Sequence, residues 1–163
     1  MPAKSEPEQQ LGDFIAKFDP AMVKFIRSAR AAMRKRLPTA IELVYDNYNF
    51  LVMGFATTER ASDCIASLAA NAKGIILSFY WGSTLPDPHR LLQGSGTQNR
   101  FLRLESPATL ADPRVEALIA AAVEQAKDPL PTARGYTIIK SICEKQRPRR
   151  ATSGTPRRPS SRS

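Results

Sequence analysis

The first 37 residues show apolar positions at steps of three and four, which is the spacing of an amphipathic helix. A first helix is predicted over residues 8–18, with Leu11, Phe14, Ile15 and Phe18 on its apolar face. A second is predicted over residues 20–37. It begins at Asp19-Pro20, because Asp caps a helix N-terminus and Pro suits the first turn. Its opposite face is basic and is most simply a solvated surface, with phosphate or nucleic-acid binding as the alternative; it is formed by Lys24, Arg27, Arg30, Arg34 and Lys35.

From residue 41 the pattern changes to the two-residue alternation and β-branched content of strands. Residues 41–46 and 50–55 form a predicted hairpin around the turn Asp46-Asn47-Tyr48-Asn49. Residues 64–70 are a weaker strand, for which a helix is the alternative. Further strands are predicted at 75–81, 101–104 and 136–143, a short helical turn at 89–92, and a third helix from Asp112-Pro113.

Strands that follow one another between flanking helices favour an α+β fold. We expect an antiparallel β-meander sheet with helices packed on one face, as a single domain over residues 1–144. Residues 145–163 are rich in Arg, Pro and Ser and contain no large apolar residue. Because such a segment buries too little surface to offset the entropy of ordering, we expect a disordered basic C-terminal tail.

Charge is concentrated in this tail. The chain carries 24 basic and 15 acidic residues, a formal net charge of +9, and seven of the basic residues lie within 145–163 together with no acid. The tail therefore predicts non-specific contact with the phosphate backbone of nucleic acids. A solubility or targeting role is an equally simple interpretation. The nucleic-acid candidates are Arg147, Arg149, Arg150, Arg157 and Arg158.

The chain offers few groups for catalysis. Its one histidine, His89, lacks a second histidine to share a metal, and its two cysteines, Cys64 and Cys143, form no CxxC pair. There is no GxSxG motif, and Gly94-Ser95-Gly96 lacks the rest of a phosphate-binding loop. We expect a binding protein and not an enzyme. The polar N-terminus and the lack of a long apolar run favour the cytoplasm and no membrane contact.

Two segments rich in polar and aromatic residues are candidates for a ligand or protein partner that the sequence does not identify. They are the predicted turn at residues 45–49 and the loop at 86–96. Hydroxyl and amide contacts, an apolar wall and a cation to pair with an anion would come from Tyr45, Asn47, Tyr48, Trp81 and Arg100.

Two carboxylates, Glu42 and Asp46, fall on the same face of the first predicted strand. Oxygen ligands of this kind suit hard cations. The alternative is a polar sheet edge with no metal.

Several segments in order resemble the YdhG-like family of small bacterial domains of unknown function. They are Leu43-Val44-Tyr45-Asp46-Asn47-Tyr48-Asn49, Thr58-Glu59-Arg60-Ala61-Ser62-Asp63, Leu85-Pro86-Asp87-Pro88 and Leu91-Leu92-Gln93-Gly94-Ser95-Gly96 with Arg100. The resemblance covers about residues 41–126 and extends more loosely to residue 150. It implies a compact α+β domain, and one member is described as a frataxin-like intracellular iron chaperone. That description makes iron a candidate cofactor or cargo, and under it the metal candidates are Asp13, Asp19, Glu42 and Asp46.

Overall fold

A computed structural model describes residues 5–151 of the chain. Three helices and six strands alternate in the order α1 (Glu6–Ile15), α2 (Pro20–Arg36), β1 (Ile41–Asp46), β2 (Leu51–Ala56), β3 (Cys64–Asn71), β4 (Gly74–Phe79), β5 (Arg100–Arg103), α3 (Pro113–Gln125) and β6 (Thr137–Ile142). The α+β prediction is confirmed. Among the described residues, no helix is both long and apolar enough to cross a bilayer.

Local sequence signals set where the helices begin. Helix α1 starts with a capping box, in which Ser5 Oγ accepts from Glu8 N at 3.3 Å and Glu8 Oε1 accepts from Ser5 N at 3.4 Å. Both Asp-Pro signals mark the predicted helix starts, since α2 begins at Pro20 and α3 at Pro113, but the Asp19 side chain makes no capping hydrogen bond to α2. At α3 the cap is explicit, because Asp112 Oδ1 accepts from Arg114 N at 2.9 Å.

The six strands form one sheet in the order β5-β4-β3-β2-β1-β6. Strands β1 to β5 pair antiparallel, as the predicted meander requires. Strand β6 differs from the prediction, because it lies parallel to β1. The chain reaches it from α3 by returning to the end of the sheet at which β1 begins, where Gly135 N donates to Pro38 O at 3.0 Å.

One face of the sheet carries the main core. Val44, Met53, Leu68, Leu77 and Leu102 are successive cross-strand partners from β1 to β5, and all are buried. They belong to one apolar cluster with the buried faces of the three helices. The helices therefore cover this face. A smaller cluster lies on the opposite face, around Ile41, Leu43, Ala56 and Cys64.

Two local predictions are corrected. The segment at 64–70 is a strand and not the alternative helix, because β2 and β4 both hydrogen-bond to it. The predicted helical turn at 89–92 is an irregular loop. The Asp87 carboxylate accepts hydrogen bonds from Leu91 N and Leu92 N at 2.9 Å each. Arg90, which directly precedes Leu91, has a positive φ of 54°. A left-handed residue at that point is incompatible with a helical turn.

The domain does not end at residue 144. Residues 145–151, here called the C-terminal strap, cross one end of the sheet, where Arg147 N donates to Tyr48 O at 2.9 Å. Arg149 is 5% exposed and Ala151 N donates to Asp19 Oδ2 at 3.1 Å. The expectation of disorder is wrong for the strap, because ion pairs and hydrogen bonds hold it without large apolar residues. Residues 152–163, with Arg157 and Arg158, lie outside the described residues.

The strand directions give the sheet two distinct ends. At the turn end lie the β1–β2 turn, the β3–β4 turn and the C-terminal strap. At the loop end lie the β2–β3 loop, residues 57–63, and the segment that follows β4, residues 80–84. Since a six-residue strand spans about 20 Å, groups at the two ends lie too far apart to share one small ligand.

Candidate functional site

A cavity of about 360 Å³ opens at the loop end, between the β2–β3 loop, the start of β3 and the last turn of α3. We call it the loop-end pocket. Its apolar wall is formed by Cys64, Ile65, Phe79, Ala122 and Ala126. Hydroxyl, amide and charged groups come from Thr57, Arg60, Ser62, Asp63, Thr84, Gln125 and Lys127, with Trp81 beside them. This volume and this mixture of apolar wall and few polar groups are typical of small-molecule sites.

Thr57 contributes a buried hydroxyl to the pocket wall. The residue is 6% exposed, and its Oγ1 has no hydrogen-bond partner within the described residues. Its backbone N–H is satisfied by Asp63 O at 3.2 Å. Buried hydroxyl groups are nearly always hydrogen-bonded, since an unpaired one costs about 1–3 kcal/mol. The Thr57 hydroxyl is therefore an unpaired polar group in the wall beside the cavity, enclosed by protein atoms in this conformation.

Trp81 is held in place at the pocket by its polar atoms. Its Nε1 donates to Ser62 O at 2.9 Å, and its carbonyl accepts from Gln125 Nε2 at 3.1 Å. The ring remains 42% exposed and lies 5.1 Å from the ring of Tyr80, between centroids. The next residue must be glycine, since a Cβ on Gly82 would lie 2.5 Å from Arg100 Cβ. Trp81 thus supplies a fixed, partly exposed aromatic surface.

Charges in the β2–β3 loop are also fixed. Asp63 Oδ2 accepts from Thr58 Oγ1 at 2.6 Å and from Arg60 Nε at 2.9 Å. The hydrogen bond from Thr58 and then that from Arg60 lower the pKa of Asp63, so the carboxylate is ionised at neutral pH. Arg60 also lies 3.4 Å from Asp128, while Lys127 has no carboxylate within 4.0 Å in the described part of the chain. Among the described residues, Lys127 is therefore a cation of the loop-end pocket that has no ion-pair partner.

Cys64 is not a nucleophile in this arrangement. Burial raises the pKa of its thiol to about 11, although a hydrogen bond with Ser67 opposes the shift. A thiol with that pKa is protonated at neutral pH, and the thiolate is the reactive form. Cys64 therefore acts as part of the apolar wall.

The five predicted ligand-binding residues do not form one site. Trp81 and Arg100 lie at the loop end, whereas Tyr45, Asn47 and Tyr48 lie at or near the turn end. Only Trp81 lines the loop-end pocket. The strands carry the two segments to opposite ends of the sheet, so the five residues do not contact one small ligand together.

Four of these residues have local structural contacts. Arg100 Nη1 donates to Gly96 O at 2.7 Å and closes its own loop. Asn47 Oδ1 accepts from Ser141 Oγ at 2.9 Å, which links the β1–β2 turn to β6. Tyr45 packs against the smaller apolar cluster, and burial raises the pKa of its hydroxyl. Tyr48 is 42% exposed and lies under the guanidinium of Arg147.

Glu42, a metal candidate, is fully buried against α2. Arg30 donates to it through Nε at 2.8 Å and Nη2 at 2.7 Å, and Thr137 Oγ1 donates at 2.8 Å. Arg34 Nη1 lies 3.9 Å away. The guanidinium of Arg30 already neutralises the negative charge of the Glu42 carboxylate, which would otherwise attract a metal ion. The alternative of a polar sheet edge is also incorrect, because the side chain faces the helices.

Asp46 is likewise buried and paired. Lys17 Nζ lies 2.7 Å from Oδ2, and Arg149 Nη2 lies 2.9 Å from Oδ1. Burial on its own would raise the pKa of Asp46, but hydrogen bonds from Lys17, Gln146 and Arg149 together lower it. The carboxylate is a structural anion that holds the C-terminal strap.

The remaining metal candidates lie elsewhere. Asp13 is exposed on α1, and Asp19 accepts from Ala151 N and lies 3.7 Å from Arg150. Among the described residues, no group of three or more His, Cys, Asp or Glu side chains is placed to hold a metal ion. The structure therefore gives the expected iron site no set of ligands in this part of the chain.

The nucleic-acid candidates within residues 5–151 differ in their exposure to solvent. Arg149 is unsuited to phosphate contact because its side chain is 3% exposed, paired with Asp46, and 5.8 Å from the ring of Phe18. Arg147 and Arg150 are exposed at the turn end.

Comparison with known proteins gives no further guidance. No family model, no curated protein and no solved structure matches this chain. The resemblance to YdhG-like domains remains a prediction.

Proposed function

We propose that the protein binds a small amphipathic molecule with an anionic group in the loop-end pocket. The observation that carries the proposal is the buried Thr57 hydroxyl, which has no partner and lies at the wall of a cavity of about 360 Å³. If rotation of the Thr57 side chain turns the hydroxyl into the cavity, a ligand atom that hydrogen-bonds to it there would remove the cost of leaving it unpaired.

The proposed ligand class follows from the pocket wall. An apolar body would lie against Ile65, Phe79 and Ala122, with Trp81 covering one side. Arg60 is already shared between Asp63 and Asp128, so Lys127 is the lining cation left to attract one negative charge on the ligand. The volume is near the lower end of the usual range for ligand pockets, so the ligand is small.

We propose binding and not catalysis. The titratable groups of the pocket are already committed, because Asp63 is ionised and paired with Arg60 and the Cys64 thiol is protonated. A general base or nucleophile would need a free pair of such groups. The binding role agrees with the class expected from the YdhG-like resemblance, but the ligand proposed here is organic and not iron.

The Thr57→Val variant separates binding from folding. Valine has nearly the same shape and removes the unpaired hydroxyl, so we expect the free protein to gain about 1 kcal/mol in its free energy of unfolding. Urea denaturation measures this change. Thr58→Val is the neighbouring control and should lose stability, because the Thr58 hydroxyl contacts Asp63 at 2.6 Å and accepts from Arg60 N at 3.1 Å.

The same variant should bind a probe less tightly. Anilinonaphthalene sulfonate has an apolar body and one negative charge, and Trp81, the single tryptophan of the chain, is a reporter at the pocket. We expect saturable quenching of Trp81 fluorescence, with Thr57→Val weakening the probe about two- to tenfold. Equal probe affinity in the two proteins, or a Thr57→Val protein less stable than the wild type, would contradict the proposal.

A further inference from the structure

We infer that the turn end of the sheet holds a second site, which binds single-stranded nucleic acid. A groove of about 530 Å³ lies there between the two hairpin turns and the C-terminal strap. We call it the turn-end groove. The residues that carry the inference are Asn49, Phe50, Lys73, Arg147 and Arg150, all of which line it. None of them lines the loop-end pocket, so the inference is independent of the proposed function.

The charge of the groove is uniformly positive. Its lining includes Lys73, Arg147 and Arg150 and no carboxylate. Within residues 5–151, no carboxylate lies within 4.0 Å of the charged groups of Lys73 or Arg147. Arg150 is 3.7 Å from Asp19, but its side chain is 57% exposed. The three cations that converge on this groove repel one another. A polyanion bound along the groove would offset this repulsion, because its phosphates would attract each of the three cations.

One aromatic residue lies in the wall of the groove and a second lies beside it. Tyr48 lies beside the residues that line the groove and is 42% exposed, with the Arg147 guanidinium 5.6 Å from the centroid of its ring. Phe50 lies half-buried in the groove wall, and the exposed amide of Asn49 adds hydrogen-bonding capacity. Cations beside exposed aromatic rings are the combination that binds single strands, because bases stack on the rings while phosphates contact the cations. In a duplex the base faces are not available for such stacking.

Sequence beyond the groove continues the positive charge. Ala151, the last residue of the strap, lines the groove, and the sequence of residues 152–163 contains Arg157, Arg158 and Arg162 with no acidic residue. The inference differs from the predicted binding of nucleic acid through the tail alone, because the inferred contacts are made by residues of the groove.

The test is the binding of a fluorescently labelled twelve-nucleotide oligothymidylate to the full chain, followed by anisotropy at several salt concentrations. We expect the Lys73→Glu/Arg147→Glu variant to bind at least about tenfold more weakly, with a log–log salt slope smaller by about 1.4. The matched control is Lys24→Glu/Lys35→Glu, which makes the same change in net charge at exposed positions of α2. Its affinity should stay within about twofold of wild type. Equal losses in the two variants would overturn the inference.

Two further arms test the strand type and the tail. Tyr48→Ser removes an exposed ring and should weaken binding at least about fivefold without changing the salt slope. A DNA duplex of the same length should bind more weakly than the single strand, and equal affinity would contradict the stacking contact. Loss of binding on Arg157→Ser/Arg158→Ser, with none on Lys73→Glu/Arg147→Glu, would assign the contact to the tail and overturn the groove. Thermal unfolding of each variant confirms that it is folded.

Discussion

Replacing Asp46 with asparagine is expected to lower the free energy of unfolding by about 3–5 kcal/mol at neutral pH. Asp46 is fully buried, and the Arg149 side chain paired with it at 2.9 Å is 3% exposed. Removal of the carboxylate charge leaves the Arg149 guanidinium buried without its counter-ion, which is the costly way to break an ion pair. Urea denaturation at pH 7 measures the loss. Asp13→Asn, on the exposed surface of α1, is the control and should change stability by less than about 0.5 kcal/mol.

The pH dependence of this effect has a definite sign. The folded protein holds the pKa of Asp46 below its usual value, so the carboxylate stabilises the fold above the unfolded pKa of about 3.9. That contribution is lost as the pH falls through the lower folded pKa. The stability difference between wild type and Asp46→Asn should therefore shrink between pH 5 and pH 2.5. A difference that stays constant over this range would contradict the assignment of Asp46 as the charged partner of Arg149.

Replacing Arg30 with methionine is expected to cost about 3 kcal/mol. Arg30 forms two hydrogen bonds, at 2.8 and 2.7 Å, with the fully buried Glu42 carboxylate. The remaining cation, Arg34, is 3.9 Å away and cannot replace that geometry. The loss is placed at the lower end of the range for buried pairs because the Arg30 side chain is 25% exposed.

Two comparisons make the Arg30 result specific, both by urea denaturation at pH 7. Lys24→Met changes an exposed cation of the same helix and should be nearly neutral. Adding Glu42→Leu to Arg30→Met removes the unpaired carboxylate, so the double variant should be more stable than Arg30→Met alone. A double variant that is less stable would mean that Glu42 contributes mainly through Thr137 and not through the ion pair.

The helices and most strands could be predicted because their signals are local. The Asp-Pro starts of α2 and α3 and the three- and four-residue apolar spacing need only neighbouring residues. The parallel placement of β6 beside β1 could not be predicted in this way. It depends on pairing between residues such as Glu42 and Thr137, which are 95 positions apart in the sequence.

The charged residues show the same limit. The sequence correctly placed Glu42 and Asp46 on one face of β1, but not the cations that meet them. The Arg30 and Arg34 pair on α2 was a usable signal, because two cations one helical turn apart can both approach one carboxylate, here Glu42. Arg149 was not, since 103 residues separate it from Asp46 and its segment resembles a disordered tail.

Almost none of the residues that line the loop-end pocket could be predicted from the sequence. Trp81 was the one predicted site residue that lines it. Thr57 was missed because a lone threonine between a strand and a loop has no distinguishing pattern. Its buried, unpaired hydroxyl exists only after β2, β3 and the end of α3 have packed.

The central claim, that the loop-end pocket holds a small molecule, is tested most directly with a variant that fills it. Ala126 lines the pocket at the end of α3, whereas Ala120 is exposed on the same helix. Wild type, Ala126→Leu and Ala120→Leu would each be incubated with a small-molecule cell extract, washed, denatured and analysed by mass spectrometry. We expect wild type and Ala120→Leu to retain the same small anion and Ala126→Leu to retain at most about a tenth as much, since the added side chain occupies the ligand's space. Equal retention by all three proteins, or by none, would contradict the account.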